Sequence, residues 1–156
     1  SRKNREILKK AKKSRGMKES DIRNIVRVVL KEYISKNQLR SVDDFADSLF
    51  NPIGVDVEFT THFVDRLNDP RNGEEIETSE LKDLFIKLYQ KYGERIPNFR
   101  NGTHALVTDL SSNINIPFEL KWDKERKMFD MVNNTVLRTK KFHVSPSEPN
   151  HMKLKV

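Results

Sequence analysis

The 156-residue sequence contains no cysteine, which excludes disulfides, thiolate metal sites and thiol nucleophiles, and fits a reducing compartment. No run approaches the roughly 18 consecutive apolar residues of a membrane-spanning helix, so we expect no membrane partner. Residues 1–15 are basic but lack the apolar stretch of a secretory signal, and we expect none. With four histidines and no H-E-x-x-H spacing, we expect neither a metal nor another cofactor.

Acidic residues are scarce at both ends of the chain. Residues 1–18 carry nine basic residues and one acidic residue, and residues 134–156 carry five basic residues and one acidic residue. The stretch between them has a net negative charge, and the net charge of the whole chain is +7. Two basic zones favour a polyanion partner. In the first zone the lysines expected to contact nucleic acid are Lys9, Lys10, Lys12 and Lys13. The alternative is a solvated arm.

The first third of the chain predicts helices. Apolar residues recur at helical spacing over residues 20–36, and a separate short helix is expected after Ser41, ending before Pro52. We therefore divide this part into a basic arm or helix, residues 1–18, and a helical extension, residues 19–52.

The rest of the chain mixes strands and helices. Apolar and polar residues alternate over residues 55–59 and again over most of residues 104–143, which indicates strands. A short helix is expected from Thr60 or Thr61, and a longer amphipathic helix from Thr78 to Gly93. Trp122 is expected in the core at the end of a hairpin, with stacking on a nucleotide base as the alternative.

These patterns predict an α+β protein with a small antiparallel sheet of about four strands, helices packed on one of its faces, and the helical extension before it. We assign residues 53–144 to this α+β domain and expect residues 145–156 to form an irregular tail.

Candidate functional residues occur on the short helix and on the last expected strand. His62 and Arg66 are four residues apart, so they project from one helix face, and Arg71 follows in a loop. An imidazole can move a proton and a guanidinium can hold a phosphate oxygen, which suits phosphodiester chemistry without a metal. Further candidates for the proton-transfer step or for phosphate contacts are His104, Arg138, Lys140, Lys141 and His143. His151 is expected to be solvated.

The segment T-T-H-F-V-D-R-L-N-D-P-R, followed by E-L-K-D-L-F-I-K-L, resembles the RegB-type phage endoribonucleases, which have the RelE-like fold of barnase, EndoU and colicin nucleases. The resemblance covers residues 20–143 and implies a metal-free endoribonuclease in which His62 and Arg66 act in catalysis. Where the family has a second histidine on the amphipathic helix, this chain has Ile86. His104 or His143 could supply that imidazole from the sheet, or the fold is present and the activity is lost.

The sequence thus leaves two main functional hypotheses. The first is an endoribonuclease that cleaves RNA in the cytoplasm of a bacterial host, with ribosome-bound mRNA as a candidate substrate. The second is a non-enzymatic, nucleic-acid-binding or virion-associated phage protein that retains the fold. A third possibility is a protein-interaction module, in which the helices of residues 20–50 dock on a larger assembly, with a phage or host protein as the partner.

Overall fold

The computed structural model describes residues 18–142 and 151–156, without the side chains of residues 28–35. The chain divides into two compact units, residues 1–37 and residues 38–156. The second half of the segment that we call the helical extension belongs to the larger of these units.

Helix α1 spans Glu19–Phe50 without interruption, where two helices separated near Ser41 were expected. No glycine or proline interrupts it, and the Ser41 hydroxyl accepts a hydrogen bond from Lys82 Nζ at 3.0 Å instead of capping a new helix. In the larger unit, four residues of α1 at helical spacing are buried: Leu39, Val42, Ala46 and Phe50. The second half of the segment expected to dock on another protein therefore packs into the core of this one.

Six strands form one sheet in the described part of the chain. They are β1 (Val55–Phe59), β2 (His104–Thr108), β3 (Ile114–Asp123), β4 (Met128–Asn133), β5 (Leu137–Arg138) and β6 (Met152–Lys155). Their order is β1-β4-β3-β2-β6, and β5 pairs with one end of β3.

The sheet is mixed, which corrects the expectation of an antiparallel sheet of about four strands. β3 runs antiparallel to β2, β4 and β5, but β1 is parallel to β4 and β6 is parallel to β2. Antiparallel pairing was inferred from adjacent strands joined by short turns, whereas both parallel pairs join strands that are distant in the sequence. The expected irregular tail is also wrong for residues 152–155, which form edge strand β6.

Two further helices lie between β1 and β2, as the sequence predicts. Helix α2 spans Thr61–Leu67 and follows Thr60 in the N-cap position, and helix α3 spans Thr78–Tyr92 and ends at Gly93. The apolar face of α3 is buried, and Phe85 on this face makes edge contacts with Phe50 of α1 and Phe59 of β1. The helices thus pack on the sheet, in an α+β arrangement.

Side chains alternate between the two faces of the sheet. On β1, Val55 and Val57 are buried in the core, whereas Asp56 and Glu58 point to the opposite face and remain at least partly exposed. We call this opposite face, which bears Asp56, Glu58, Glu119 and their cross-strand neighbours, the polar face.

Every described helix is too short or too polar to cross a bilayer.

Candidate functional site

The structure places the predicted His62 and Arg66 on helix α2, which follows β1, and Arg71 in the turn Pro70–Asn72, where Asn72 Oδ1 accepts a hydrogen bond from the backbone N–H of Arg138 in β5 at 3.0 Å. His62 lies on the exposed surface of α2, near the N-terminus of that helix. Arg66 Nη1 lies 3.3 Å from Asp69 Oδ2, and Arg71 Nη2 lies 2.8 Å from the same oxygen. Both arginines expected to bind phosphate are therefore paired with one carboxylate.

Asp69 is held by more than these two ion pairs. Its Oδ1 accepts from the backbone N–H of Arg71 at 2.9 Å and from Arg71 Nε at 3.1 Å, which stabilises the short 3₁₀ turn Pro70–Asn72. The hydrogen bonds from Arg71 hold the pKa of Asp69 well below its usual range. The contacts among Asp69, Arg66 and Arg71 therefore stabilise the turn that follows α2.

The predicted phosphate-binding residue Arg138 forms a bidentate ion pair. Its side chain is only 16% exposed, and its Nη1 and Nη2 each lie 2.8 Å from a carboxylate oxygen of Glu80. The same two nitrogens also donate to the backbone carbonyls of Ser112 and Glu75. The pairing lowers the pKa of Glu80 and raises that of Arg138, so this arginine connects β5 to the start of α3.

The remaining basic candidates are divided between described and undescribed parts of the chain. Lys140 and Lys141 are exposed after β5. His143 lies outside the described residues. So do the four lysines of the N-terminal zone, which are Lys9, Lys10, Lys12 and Lys13.

His104 is not brought to His62. It opens β2, and its register neighbour on β3 is Glu119, followed by Val132 on β4 and Glu58 on β1. Three interstrand spacings separate the Cα atoms of His104 and Glu58 by about 14 Å. His62 follows β1 on α2, and strands β4 and β3 lie between β1 and the strand that carries His104.

Instead, the structure brings His104 next to His151. The centroids of the two imidazole rings lie 5.4 Å apart, with their planes tilted by 49°. The pairing of β2 with β6 places His151 beside His104, because Ala105 is the partner of Met152 in this parallel pair. His104 Nε2 also lies 3.9 Å from Glu119 Oε1.

The two imidazoles line a cleft of about 270 Å³ on the polar face. Besides His104, His151 and Glu119, its walls contain Pro117, Phe118, Asn134 and Thr135. Lys121 Nζ lies 3.9 Å from Glu119 Oε2, and the exposed Lys153 is two residues after His151, which places it on the same side of β6. The cleft therefore combines two groups able to transfer protons with a carboxylate and nearby cations.

Sequence reasoning missed His151, which it assigned to a solvated tail. The signal was present, because Met152, Leu154 and Val156 alternate with Lys153 and Lys155 in the last five residues. That pattern is typical of a strand, and Leu154 is buried in the structure.

A second polar group lies on the same face at the β1 side. The carboxylates of Asp56, Glu58 and Asp130 lie within 4.8 Å of one another, a spacing that could hold a metal ion. Arg126 already provides positive charge there: its Nη1 lies 3.3 Å from Asp56 Oδ2 and its Nη2 contacts Asp130. Its Nε also lies 2.7 Å from Asp123 Oδ2, so one guanidinium compensates three of the nearby carboxylates.

Comparisons of the chain with protein-family models, with curated proteins and with solved structures find no match.

Proposed function

We propose that this protein is a metal-free endoribonuclease that uses His104 and His151 as its proton-transfer pair. The observation that carries the proposal is the position of their rings, 5.4 Å apart in one cleft. Cleavage of RNA through its own 2′-OH needs one group that accepts a proton and one that donates a proton. Imidazole can do both near neutral pH.

In this reaction one neutral imidazole removes the proton from the ribose 2′-OH, and the 2′-oxygen forms a bond to phosphorus. The bond from phosphorus to the 5′-oxygen breaks, and the second histidine, in its imidazolium form, gives its proton to the leaving 5′-oxygen. The products are a 2′,3′-cyclic phosphate and a 5′-hydroxyl. Electrons and protons balance without an external reagent.

Neighbouring residues support this chemistry. Glu119, with its Oε1 3.9 Å from His104 Nε2, would orient that ring. Lys153, on the same side of β6 as His151, would compensate the negative charge that builds on the phosphate oxygens in the transition state. The exposed lysines of β6 and of residues 140 and 141 would attract the RNA backbone.

This proposal keeps the activity implied by the resemblance to RegB-type enzymes but moves the chemistry away from His62 and Arg66. From that resemblance we also propose phage origin and action on mRNA in the cytoplasm of a bacterial host. The assignment to His104 and His151 rests on the cleft, not on the resemblance.

The test is cleavage of a mixed-sequence RNA in EDTA by the wild type and by His104→Ala, His151→Ala and His62→Ala. We expect each cleft variant to lose ~10²–10⁴-fold in rate, because each removes one proton-transfer group. His62→Ala is the matched control and should retain the wild-type rate. The wild-type rate should depend on pH with a bell shape, since one histidine must be neutral and the other protonated.

Three results would overturn this assignment. Loss of activity in His62→Ala with retention in the cleft variants would return the site to α2. Cleavage that stops in EDTA would contradict a metal-free reaction. Intact RNA with all four proteins, together with binding that weakens as salt rises, would favour the non-enzymatic nucleic-acid-binding protein.

A further inference from the structure

Trp122, the only tryptophan of the chain, lies near the end of β3. It was expected in the core, but the residue is 43% exposed, and the expectation is wrong. Its register partner on β4 is Phe129, and Trp122 therefore lies on the opposite face of the sheet from His104 and Glu119. Tryptophan is among the most buried residues on average, so this exposure is unusual.

The indole is held in place despite its exposure. The ring of Phe129 lies 5.0 Å from it, centroid to centroid, in an edge contact with an interplanar angle of 70°. The backbone N–H of Trp122 donates to Asn101 Oδ1 at 2.9 Å. The indole thus contacts a ring that is itself 8% exposed, while 43% of the Trp122 residue remains exposed to solvent.

Three exposed cations lie in the turns next to Trp122 along the chain. Arg100 precedes Asn101, in a turn tied to β3 by the hydrogen bond from Gly102 N–H to the Leu120 carbonyl. Lys124 and Lys127 are exposed in the turn that joins β3 to β4. The same turn carries exposed Glu125, and the preceding Asp123 is paired with Arg126, so the exposed lysines of this turn outnumber its exposed acid.

We infer that Trp122 is a stacking site for an unpaired base of single-stranded RNA, with Arg100, Lys124 and Lys127 contacting the flanking phosphates. Exposed aromatic rings bordered by lysine and arginine bind single strands in this way, because every base has a π face and every linkage a charge. A protein partner is less favoured, since a lone aromatic side chain among charged residues does not form the broad apolar patch of a protein interface. This site lies on the other face from the histidine cleft and does not depend on cleavage there.

The test measures binding apart from cleavage. A 2′-O-methyl oligonucleotide cannot be cut by attack of its own 2′-oxygen, so it serves as the probe. Because the chain has one tryptophan, tryptophan emission excited at wavelengths where the three tyrosines do not absorb reports on Trp122 alone. We expect saturable quenching of this emission, and a loss of affinity of about 5- to 150-fold in Trp122→Ala by anisotropy of a labelled oligonucleotide, the size of one base–aromatic stacking contact.

Trp122→Phe keeps an aromatic ring and should lose less affinity than Trp122→Ala. This comparison separates the loss of stacking from an effect of misfolding. Tyr89→Ala removes another exposed aromatic residue, on α3, and should bind like the wild type. Lys124→Ala and Lys127→Ala should each reduce the slope of affinity against salt.

Unchanged emission at oligonucleotide concentrations that saturate the anisotropy signal would overturn the inference, as would wild-type affinity in Trp122→Ala. Equal affinity for duplex and single strand would exclude an unpaired base as the ligand. If the cleavage test fails, the fluorescence and anisotropy measurements still test this binding site, because they use an oligonucleotide that cannot be cleaved.

Discussion

Asp47 of α1 accepts a hydrogen bond on its Oδ1 from the backbone N–H of Val57 in β1, at 2.8 Å. This bond joins the C-terminal part of the helix to the edge strand of the sheet, within the larger compact unit. Asp43, one helical turn earlier, has a buried Oδ1 atom that lacks a hydrogen-bond partner among the described residues. Two carboxyl groups therefore lie together where helix and sheet meet.

Replacement of Asp47 by alanine should destabilise the protein, because the Val57 N–H would lose its acceptor in a partly buried position. We expect a loss of about 1–3 kcal/mol in the free energy of unfolding, measured by urea denaturation. Asp47→Asn is the matched control, since its amide oxygen can accept the same bond. Equal losses in both variants would show that the hydrogen bond is not the cause.

Asp43 should make stability depend on pH. Burial, together with nearby Asp47, Asp56 and Asp44, raises the pKa of Asp43 from 3.8 to about 7. A raised pKa in the folded state means that the protonated carboxyl is preferred there. The contribution of this group is therefore present below pH 4 and lost as pH rises from about 4 to about 7.

Asp43→Asn should remove this dependence and be more stable than the wild type at pH 8, by on the order of 1 kcal/mol after allowance for solvent screening. Denaturant titrations at pH 5 and pH 8 measure both effects. Asp44→Asn, an exposed neighbour on α1, is the control and should leave most of the pH dependence in place. If the difference in the free energy of unfolding between pH 5 and pH 8 persists in Asp43→Asn, the pH dependence arises from another group.

Arg138→Ala should destabilise the fold by about 2–4 kcal/mol, since it leaves the partly buried Glu80 without its guanidinium partner. Thermal or urea unfolding measures this loss. Arg138→Lys should be intermediate, because an ammonium group cannot form the two parallel hydrogen bonds to one carboxylate. Wild-type stability of Arg138→Ala combined with weakened RNA binding would support the phosphate contact that the sequence predicts.

Arg66→Ala should leave RNA cleavage close to the wild-type rate, far from the ~10²-fold or larger loss of a proton-transfer residue. The reason is that Arg66, on α2, pairs with Asp69 and is not among the residues that line the histidine cleft. Initial cleavage rates in EDTA measure the effect. Lys153→Ala is the comparison variant, and there we expect the rate to fall because a cation beside His151 is lost. A large loss in Arg66→Ala would contradict the proposed site.

Much of the secondary structure followed from the sequence. Strand β1 and helices α2 and α3 lie close to their expected positions, because their apolar periods of two and 3.6 residues are complete within each segment. The continuity of α1 was missed, because Ser41 resembles a helix start and its hydroxyl instead binds Lys82, a contact that only the packed structure supplies.

The candidate site depended far more on tertiary structure. Composition by itself excluded thiol chemistry, and the alternation of polar and apolar residues determined which side chains share a face of each strand. Only the fold decided that β6 pairs with β2 and brings His151 to His104. Only the fold decided, too, that the arginines expected to hold phosphate form ion pairs with Asp69 and Glu80. The physical reason is that periodicity arises between residues near in sequence, whereas strand order and ion pairing are determined by packing between distant segments.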